Sequence, residues 1–297
     1  MNPTVARLAT ARTSALRYLS SLRLSDIVVL QGPPLLGAAF GLRRAGAQAL
    51  LPLATLLVAN VLLMAHVFTL NDWSGVTADL ADPNKAAGTF AARGIERDRI
   101  GGLSAILLGA SLLLFALLGP TTLALALAIT ALSALYSLPR FNWKARPLLN
   151  SALHLGGGVL HFLLGYSLGG AVDRSGFLIA AFFALIFAAG HLTQETRDHA
   201  GDAISGIRTN AVIFGPRRTF IASLILFTLA HALLLLLAFE GIVARALAAI
   251  VILYLLQLYW SLRTMSDGLT YASVSRLQTR YRALYAAAGV AMVASLV

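Results

Sequence analysis

A long apolar run of the sequence ends in NDWSGVTADLADPNK, residues 71–85, which contains three carboxylates, Asp72, Asp79 and Asp82. Asn71 opens the segment with an amide oxygen. Carboxylate and amide oxygens are hard ligands that suit Mg2+, which takes one or two carboxylates together with water and substrate phosphates. The segment therefore contains oxygen ligands of the kind that a site for magnesium and phosphate needs.

A second acidic segment, QETRDHAGDAISGIRTN, covers residues 194–210 and also follows an apolar run. Its acids Glu195, Asp198 and Asp202 are three and four residues apart, so a continuing helix would place all three on one face. Like charges on one face repel each other unless a cation lies among them. Two such clusters on facing helices could hold metal ions that bridge a diphosphate.

Basic residues near both clusters would complete an anion site. Lys85 and Arg93 follow the first cluster, and Lys144 and Arg146 lie between the two clusters in YSLPRFNWKARP. These cations would contact the diphosphate oxygens. A diphosphate whose charge is neutralised in place is a good leaving group. The group left behind would be a carbocation, which aromatic faces in an apolar pocket stabilise.

The same residues allow two other interpretations. The acids could be solvated charges at the ends of membrane helices, although repeated helical spacing is less usual for such charges. His191, Glu195 and His199 are each four residues apart and could form a transition-metal site on one helix face. The surplus of acids around these three residues favours the magnesium site.

The elements that position these groups are expected to be membrane helices. Of the 297 residues, 58% are hydrophobic and only 12% are charged, which is more apolar surface than a soluble domain of this size can bury. The formal charge of +11 is spread between apolar runs rather than along one polar face, so membrane lipid is the expected partner and nucleic acid is not. The chain has no cysteine, which excludes disulfides and thiolate chemistry.

Nine apolar runs approach the roughly 20 residues that a helix needs to cross the hydrocarbon core. We predict these spans at residues 27–42, 49–70, 101–118, 121–138, 149–168, 176–193, 219–239, 243–262 and 282–297. The fold class is therefore an all-α integral membrane protein, with nine transmembrane helices in a single domain over residues 25–297. In residues 1–24 arginines are interspersed with leucines, which predicts a short amphipathic helix lying in the membrane interface.

Lys and Arg are unevenly distributed between alternate connections. The N-terminus and the loops after spans two, four, six and eight hold 19 of the 23. By the positive-inside rule these segments are cytoplasmic. Both acidic clusters lie on the same side, so we expect an active site at the cytoplasmic face of a cell membrane, most simply the bacterial inner membrane.

In order and position these segments resemble the motifs of the UbiA superfamily of intramembrane prenyltransferases, over essentially the whole chain. The first motif of that family, N-D-x-x-D-x-x-x-D, is similar to NDWSGVTAD, and the second, D-x-x-x-D followed by G-x-x-T, is similar to DHAGDAISGIRT. Between them YSLPRFNWK resembles the family's Y-S-x-P-x-x-x-x-K segment. Each motif alone is weak, but three in order at the ends of the correct helices are specific.

The resemblance implies a helical bundle around a central cavity, with Mg2+ and a prenyl diphosphate held under a cytoplasmic cap. The metal ligands it implies are Asn71, Asp72, Asp79, Asp198 and Asp202. Of these, Asp198 and Asp202 are also implied to be catalytic, together with Tyr136, which would face the allylic cation. The residues it implies for binding the diphosphate are Lys85, Arg93, Lys144 and Arg146.

Gly75 departs from the family pattern, because glycine stands where the first motif has its middle aspartate. A glycine cannot ligate a metal through a side chain, so one expected carboxylate is missing. Three explanations stay open: Asp72 or Asp82 substitutes from a neighbouring position, one metal is held more weakly, or the chemistry has drifted.

The leading hypothesis is Mg2+-dependent transfer of a prenyl group from a polyprenyl diphosphate to a hydrophobic acceptor, for which we expect an aromatic ring. The first alternative is a terpene cyclase of the same superfamily, in which the cation is captured by its own double bonds. The second is a lipid-diphosphate binder or transporter, although the acids lie at helix ends rather than at mid-membrane. We also expect His66 and His161, which fall within apolar spans, to line the cavity.

Overall fold

A computed structural model describes Tyr18 and residues 22–42 and 47–296 of the chain. All regular secondary structure in this part is helical. The predicted interfacial helix over residues 1–24 falls almost wholly outside the described residues.

Eleven α-helices follow one another within these ranges. They are α1 (Leu24–Val29), α2 (Gly32–Leu42), α3 (Leu50–Ala81), α4 (Arg97–Leu118), α5 (Pro120–Ser137), α6 (Leu149–Tyr166), α7 (Arg174–Ile204), α8 (Asn210–Phe214), α9 (Pro216–Phe239), α10 (Val251–Ser266) and α11 (Tyr271–Ala294). Short 3-10 turns occur at Ala47–Ala49, Ala86–Gly88, Trp143–Ala145, Ser167–Gly169 and Arg245–Ile250.

Seven helical segments of the described chain are long and apolar enough to cross a membrane. They are Leu24–Leu42, Ala47–Ala81, Arg97–Leu118, Pro120–Ser137, Arg174–Ile204, Pro216–Phe239 and Arg245–Ser266. Helices α6 and α11 occupy the predicted spans 149–168 and 282–297, but polar residues within them keep both outside this group. Seven of the predicted spans thus coincide with helices that are long and apolar enough to cross a membrane, and a total of nine stays a prediction.

The outer surface of the bundle is apolar, as expected for a protein in lipid. Leu51, Leu117 and Phe239 are each at least 75% exposed, and a soluble domain rarely leaves so many large apolar side chains in contact with water. The interior also contains large apolar groups, among them the fully buried Phe115 and Phe162. Helices that are apolar on all sides in this way are typical of membrane spans.

The first predicted span, residues 27–42, is divided into α1 and α2. Helix α2 begins just ahead of Pro33 and Pro34, and proline is tolerated in the first turn of a helix but not in its interior, because it lacks the N–H donor. At the break, Gln31 Oε1 accepts a hydrogen bond of 2.8 Å from Asn60 Nδ2. A polar contact to α3 therefore stabilises the interrupted helix.

Helices α3 and α7 run well past the predicted ends of their spans. Helix α3 has 32 residues and α7 has 31, so each continues about three turns beyond the apolar run. Asp173 caps the start of α7 by accepting a hydrogen bond of 2.8 Å from Gly176 N. Both acidic segments are therefore largely helical, and their spacing is fixed by helix geometry.

The other helices hold α3 and α7 in place by close packing. Helix α3 packs along α4, whereas α7 packs between α6 and α9. Helix α6 in turn lies against α2, where a Cβ on Gly165 would stand only 1.7 Å from Pro34 O. Only glycine permits this approach of two backbones, which is a common device between membrane helices.

Candidate active site

A cavity of about 410 Å3 lies at the carboxyl-terminal ends of α3 and α7. The predicted site residues that line it are Asn71, Asp72, Asp79, Lys85, Arg93, Tyr136, Lys144, Asp198 and Asp202. Arg146, which we also predicted to bind diphosphate, is not among the lining residues. Segments distant in sequence thus bring nine of the predicted side chains to one place.

The ammonium group of Lys85 connects the two acidic clusters. Its Nζ atom lies 3.4 Å from Asp198 Oδ2 and 3.5 Å from both Asp82 Oδ2 and Asp202 Oδ1. Burial alone would lower the pKa of Lys85, but the carboxylates of Asp198 and Asp202 outweigh this effect and the pKa is raised. A single positive charge therefore stands among carboxylates from both motifs.

Asp82 and Gly201 form a close contact between the two motifs. A Cβ on Gly201 would stand 2.1 Å from Asp82 Oδ2, and Asp82 is only 2% exposed. The other oxygen, Oδ1, accepts a hydrogen bond of 2.9 Å from Asn84 N. Nearby, Ser205 Oγ donates to Ala78 O at 2.9 Å. These contacts fix the separation of α3 and α7 where the cavity opens.

Arg23 reaches into the cavity from the residues that precede α1. Its guanidinium group forms a salt bridge with Asp72. Burial alone would lower the pKa of Arg23, but the charge of Asp72 outweighs it and the pKa is raised. A second ion pair of 3.2 Å, between Asp26 Oδ1 and Arg282 Nη1, ties α1 to α11. Asp72 is thus paired with an arginine in this conformation.

Lys144 fills the space beside Gly75. A Cβ on Gly75 would stand 3.0 Å from Lys144 Nζ and 3.6 Å from Asp79 Oδ2. Lys144 lies in the 3-10 turn that follows Asn142, a residue in the left-handed conformation with φ of 46°. Burial lowers the pKa of Lys144, and the charges of Asp79 and Asp72 offset this only in part. An ammonium group therefore lies next to the missing carboxylate.

Two arginines add positive charge to the cavity wall. Arg197 binds Asp198 through two hydrogen bonds, Nε to Oδ1 at 2.6 Å and Nη2 to Oδ2 at 2.9 Å. Arg93 has a buried Nη1 that makes no hydrogen bond within the described part of the chain. A buried guanidinium nitrogen without a partner at the edge of a cavity is suited to bind an anion.

Glu195 is the centre of a buried hydrogen-bond network. Its Oε1 accepts from Asn150 Nδ2 at 2.6 Å and lies 3.0 Å from His191 Nε2, while its Oε2 accepts from Asn210 N at 3.0 Å. Asn210 Oδ1 in turn accepts from Leu148 N at 2.8 Å. Leu148 has a φ of 62°, so this bond helps to hold an unusual backbone conformation ahead of α6. The network fixes the segment that carries Lys144 against α7.

Aromatic rings lie next to this network. The rings of His154 and His191 are stacked, with centroids 3.4 Å apart and an angle of 8°. Tyr136 meets His154 edge to face at 5.3 Å. His66 and His161 do not line the cavity as we expected. His66 Nδ1 lies 2.9 Å from Ser104 Oγ, and His161 Nε2 lies 2.9 Å from Asn60 Oδ1, so both histidines join helices.

Comparison with known families shows which family the chain belongs to. Residues 32–279 match the model of the UbiA prenyltransferase family. The chain belongs to the UbiA prenyltransferase family. No curated protein matches its sequence significantly.

Solved structures support the UbiA fold over nearly the whole chain. A UbiA homolog from Archaeoglobus fulgidus bound to DMAPP and Mg2+ is similar with a TM-score of 0.71 at 20% identity, covering 94% of this chain and 99% of that one. The same homolog bound to GPP and Mg2+ gives 0.72 at 21% identity with the same coverage. A structure of digeranylgeranylglyceryl phosphate synthase gives 0.69 at 17% identity, covering 95% of this chain and 98% of that one.

The side chains of this UbiA family member fit a magnesium ion that is shared with a diphosphate. No group of three or more His, Asp or Glu residues in the described ranges is placed to hold a metal by itself. Mg2+ does not require such a cage, since it usually combines one or two carboxylates with substrate phosphates. The ammonium group of Lys85 already occupies a cation position among Asp198, Asp202 and Asp82, and the available donors are hard oxygens.

The alternative transition-metal site at His191, Glu195 and His199 is wrong for the described structure. No such metal-binding group is found there. The two oxygens of Glu195 accept hydrogen bonds from Asn150 and Asn210. The sequence reasoning missed Asn150 and Arg23 as residues of the cavity. Asn150 is the second residue of α6 and belongs to no motif that marks it in the sequence, and Arg23 was assigned to the membrane interface.

Proposed function

We propose that this UbiA family member ionises a prenyl diphosphate in a Mg2+-dependent reaction and transfers the prenyl group to a hydrophobic acceptor, with an aromatic ring as the expected acceptor. The observation that carries the proposal is the convergence of both acidic motifs on Lys85 in one cavity. The binding of DMAPP or GPP with Mg2+ by the homolog of the same fold supports the substrate class.

In this proposal the metal ligands come from both motifs. They are Asn71, Asp72, Asp79, Asp198 and Asp202, all of which line the cavity. When bound, Mg2+ would neutralise the negative charge that develops on the leaving diphosphate. The carboxylates would hold the cation from two helices, so little reorganisation would be needed during the reaction.

The basic residues would bind the diphosphate oxygens. The contacts of Lys85 with its carboxylates, 3.4 to 3.5 Å, are long for charge-assisted hydrogen bonds, which are about 2.7–2.9 Å. Lys85 can therefore turn towards a phosphate oxygen at small cost. Arg93 and Lys144 line the same cavity, and Arg146, two residues beyond Lys144, is proposed to act at its edge.

The prenyl cation would form next to Tyr136 at the end of α5. The ring of Tyr136 lines the cavity and contacts His154. An aromatic face stabilises a cation without supplying a nucleophile, so Tyr136 is proposed to protect the cation until it meets the acceptor.

The cavity is proposed to open to the cytoplasm of a bacterial cell, on the same side as the N-terminus. The excess of Lys and Arg in that set of connections supports this orientation. Because the chain contains no cysteine, single cysteines introduced at Arg140 and Arg174 report one membrane side each. Labelling of both from the same side by an impermeant thiol reagent would contradict the proposed orientation.

The central test uses purified protein in liposomes with geranyl diphosphate and Mg2+. Asp198→Asn and Asp202→Asn should each reduce diphosphate release by at least about 100-fold, the scale of removing one preorganised electrostatic group. Asp267→Asn, which changes an exposed acid after α10, is the matched control and should release diphosphate like the wild type. Undiminished release by both motif variants would contradict the mechanism.

Analysis of the products by mass spectrometry separates transfer from cyclisation. Incubation with an aromatic acceptor should give the prenylated acceptor, and incubation without an acceptor should give no cyclic product. A cyclic hydrocarbon or alcohol formed without an acceptor would identify a terpene cyclase instead.

A further inference from the structure

We propose that His191, supported by Glu195, is the base that removes the proton from a hydroxylated aromatic acceptor. The inference rests on the proposed function and adds the step that follows formation of the cation. It also names the acceptor as an aromatic ring that carries a hydroxyl group.

The hydrogen bond between His191 and Glu195 sets the tautomer of the imidazole. Nε2 of His191 lies 3.0 Å from Glu195 Oε1, and a carboxylate only accepts hydrogen bonds. The ring proton is therefore on Nε2, which leaves the lone pair on Nδ1. Nδ1 makes no hydrogen bond within the described residues, so it is available to accept a proton.

Glu195 is positioned to support a positive charge on this imidazole. Its oxygens accept hydrogen bonds from Asn150 Nδ2 at 2.6 Å and from Asn210 N and Nδ2 at 3.0 Å each. These donors hold the carboxylate in one orientation. General bases are usually oriented in this way: a carboxylate holds the base, and further hydrogen-bond donors hold the carboxylate.

His191 lies on the side of the cavity where an acceptor would meet the cation. It lines the cavity on the same helix as Asp198, seven residues earlier. Seven residues are two helical turns, or about 10 Å along the axis. This distance leaves space for the allylic carbon and one aromatic ring between the diphosphate end and the imidazole. The ring of His154 stacks on one face of His191.

The unsatisfied oxygen of Asn150 indicates that the acceptor carries a hydroxyl group. It lines the same cavity, and its Oδ1 is a buried hydrogen-bond acceptor without a donor in the described part of the chain. Such an atom is rare in proteins, and an incoming hydroxyl hydrogen would satisfy it. Tyr136, in the same wall, offers an aromatic neighbour for the ring.

The step conserves atoms and electrons. The bond between the allylic carbon and the diphosphate oxygen breaks, and its electron pair leaves with the diphosphate. A π pair of the acceptor ring then forms the new carbon–carbon bond. The C–H bond at that ring carbon gives its electrons back to the ring while the proton moves to Nδ1 of His191. The imidazolium is stabilised by Glu195 and later releases the proton to water.

The experiment compares two reactions of the same protein in liposomes. The first is release of diphosphate from geranyl diphosphate without acceptor, and the second is transfer to the best acceptor in a panel of phenols and naphthols. His191→Gln should lower transfer by about 100-fold or more, the scale of general base catalysis, while diphosphate release continues. A ring-deuterated acceptor should show a larger isotope effect in His191→Gln than in the wild type, because proton removal becomes slow.

The matched control is His231→Gln, which changes another buried histidine that lies outside the cavity and contacts Phe227 O at 2.8 Å. This variant should transfer normally. Added imidazole should restore part of the transfer in His191→Ala. Undiminished transfer by His191→Gln, or loss of diphosphate release together with transfer, would overturn the base role. Absence of Mg2+-dependent diphosphate release in the wild type would instead overturn the proposed function and this inference together.

Discussion

The Nζ atom of Lys144 lies 3.0 Å from the point where a Cβ on Gly75 would stand. The ammonium group of Lys144 thus lies next to the position where the motif of the family has its middle aspartate. The contact places a positive charge, rather than a metal ligand, beside Asp79. It also makes the effect of restoring the aspartate predictable.

Gly75→Asp should weaken binding of the prenyl diphosphate. The new carboxylate would pair with Lys144 and withdraw it from the substrate, which removes a charge-assisted hydrogen bond of about 1.5–3 kcal/mol. We expect KM for geranyl diphosphate to rise about tenfold or more. Gly75→Ala is the control, because its Cβ would meet the flexible end of Lys144 and would stand at an ordinary 3.6 Å from Asp79 Oδ2. An unchanged KM in Gly75→Asp would show that Lys144 does not bind the substrate.

The pH dependence of substrate capture should report Lys144. Burial lowers its pKa below the usual 10.5, and only the protonated form attracts diphosphate. The value of kcat/KM should therefore be constant below this pKa and fall as the pH rises through it. Lys144→Arg should move the fall to higher pH, since arginine stays charged. The same alkaline profile in both proteins would contradict the assignment.

Arg23→Ala should increase the apparent affinity for Mg2+. Arg23 forms a salt bridge with Asp72, a proposed metal ligand, and must release it before the metal binds. A partly exposed ion pair contributes up to about 1 kcal/mol, so the half-saturating Mg2+ concentration should fall about two- to fivefold. Arg99→Ala, which breaks the exposed 2.9 Å pair with Glu96, should leave it unchanged. A rise in the Mg2+ requirement would show that Arg23 binds substrate instead.

Gly201→Ala should destabilise the protein and reduce activity. Its Cβ would stand 2.1 Å from Asp82 Oδ2, so α3 and α7 must separate or Asp82 must leave its buried site. Overpacking of this kind costs about 1–3 kcal/mol, which should appear as a lower Tm in detergent. Gly190→Ala, on the same helix, places a Cβ at an ordinary 3.6 Å from Tyr281 Oη and should leave Tm unchanged. Equal Tm values for both variants would contradict the tight contact.

The apolar runs predicted most of the fold, because a helix in lipid must satisfy its own backbone hydrogen bonds. Each predicted span coincides with helix, although the first is divided next to Pro33 and Pro34. The ends of α3 and α7 were harder to predict. Hydropathy falls at Asn71 and at Gln194, yet both helices continue, since packing against neighbours stabilises a polar helical turn that hydropathy does not describe.

The motifs predicted which residues meet in the cavity but not how they pair. Spacing along one helix places Asp198 and Asp202 on one face, and both line the cavity. The contacts of Arg23 with Asp72 and of Asn150 with Glu195 depend on segments that approach only after the bundle forms. Neither pair has a spacing that a single sequence could reveal.

The close contact between Asp82 and Gly201 also limits how this site can evolve. A larger residue at position 201 requires a shorter or displaced side chain at position 82. The two positions lie in different motifs, yet they form one steric unit. Related chains that keep the aspartate should therefore also keep the glycine.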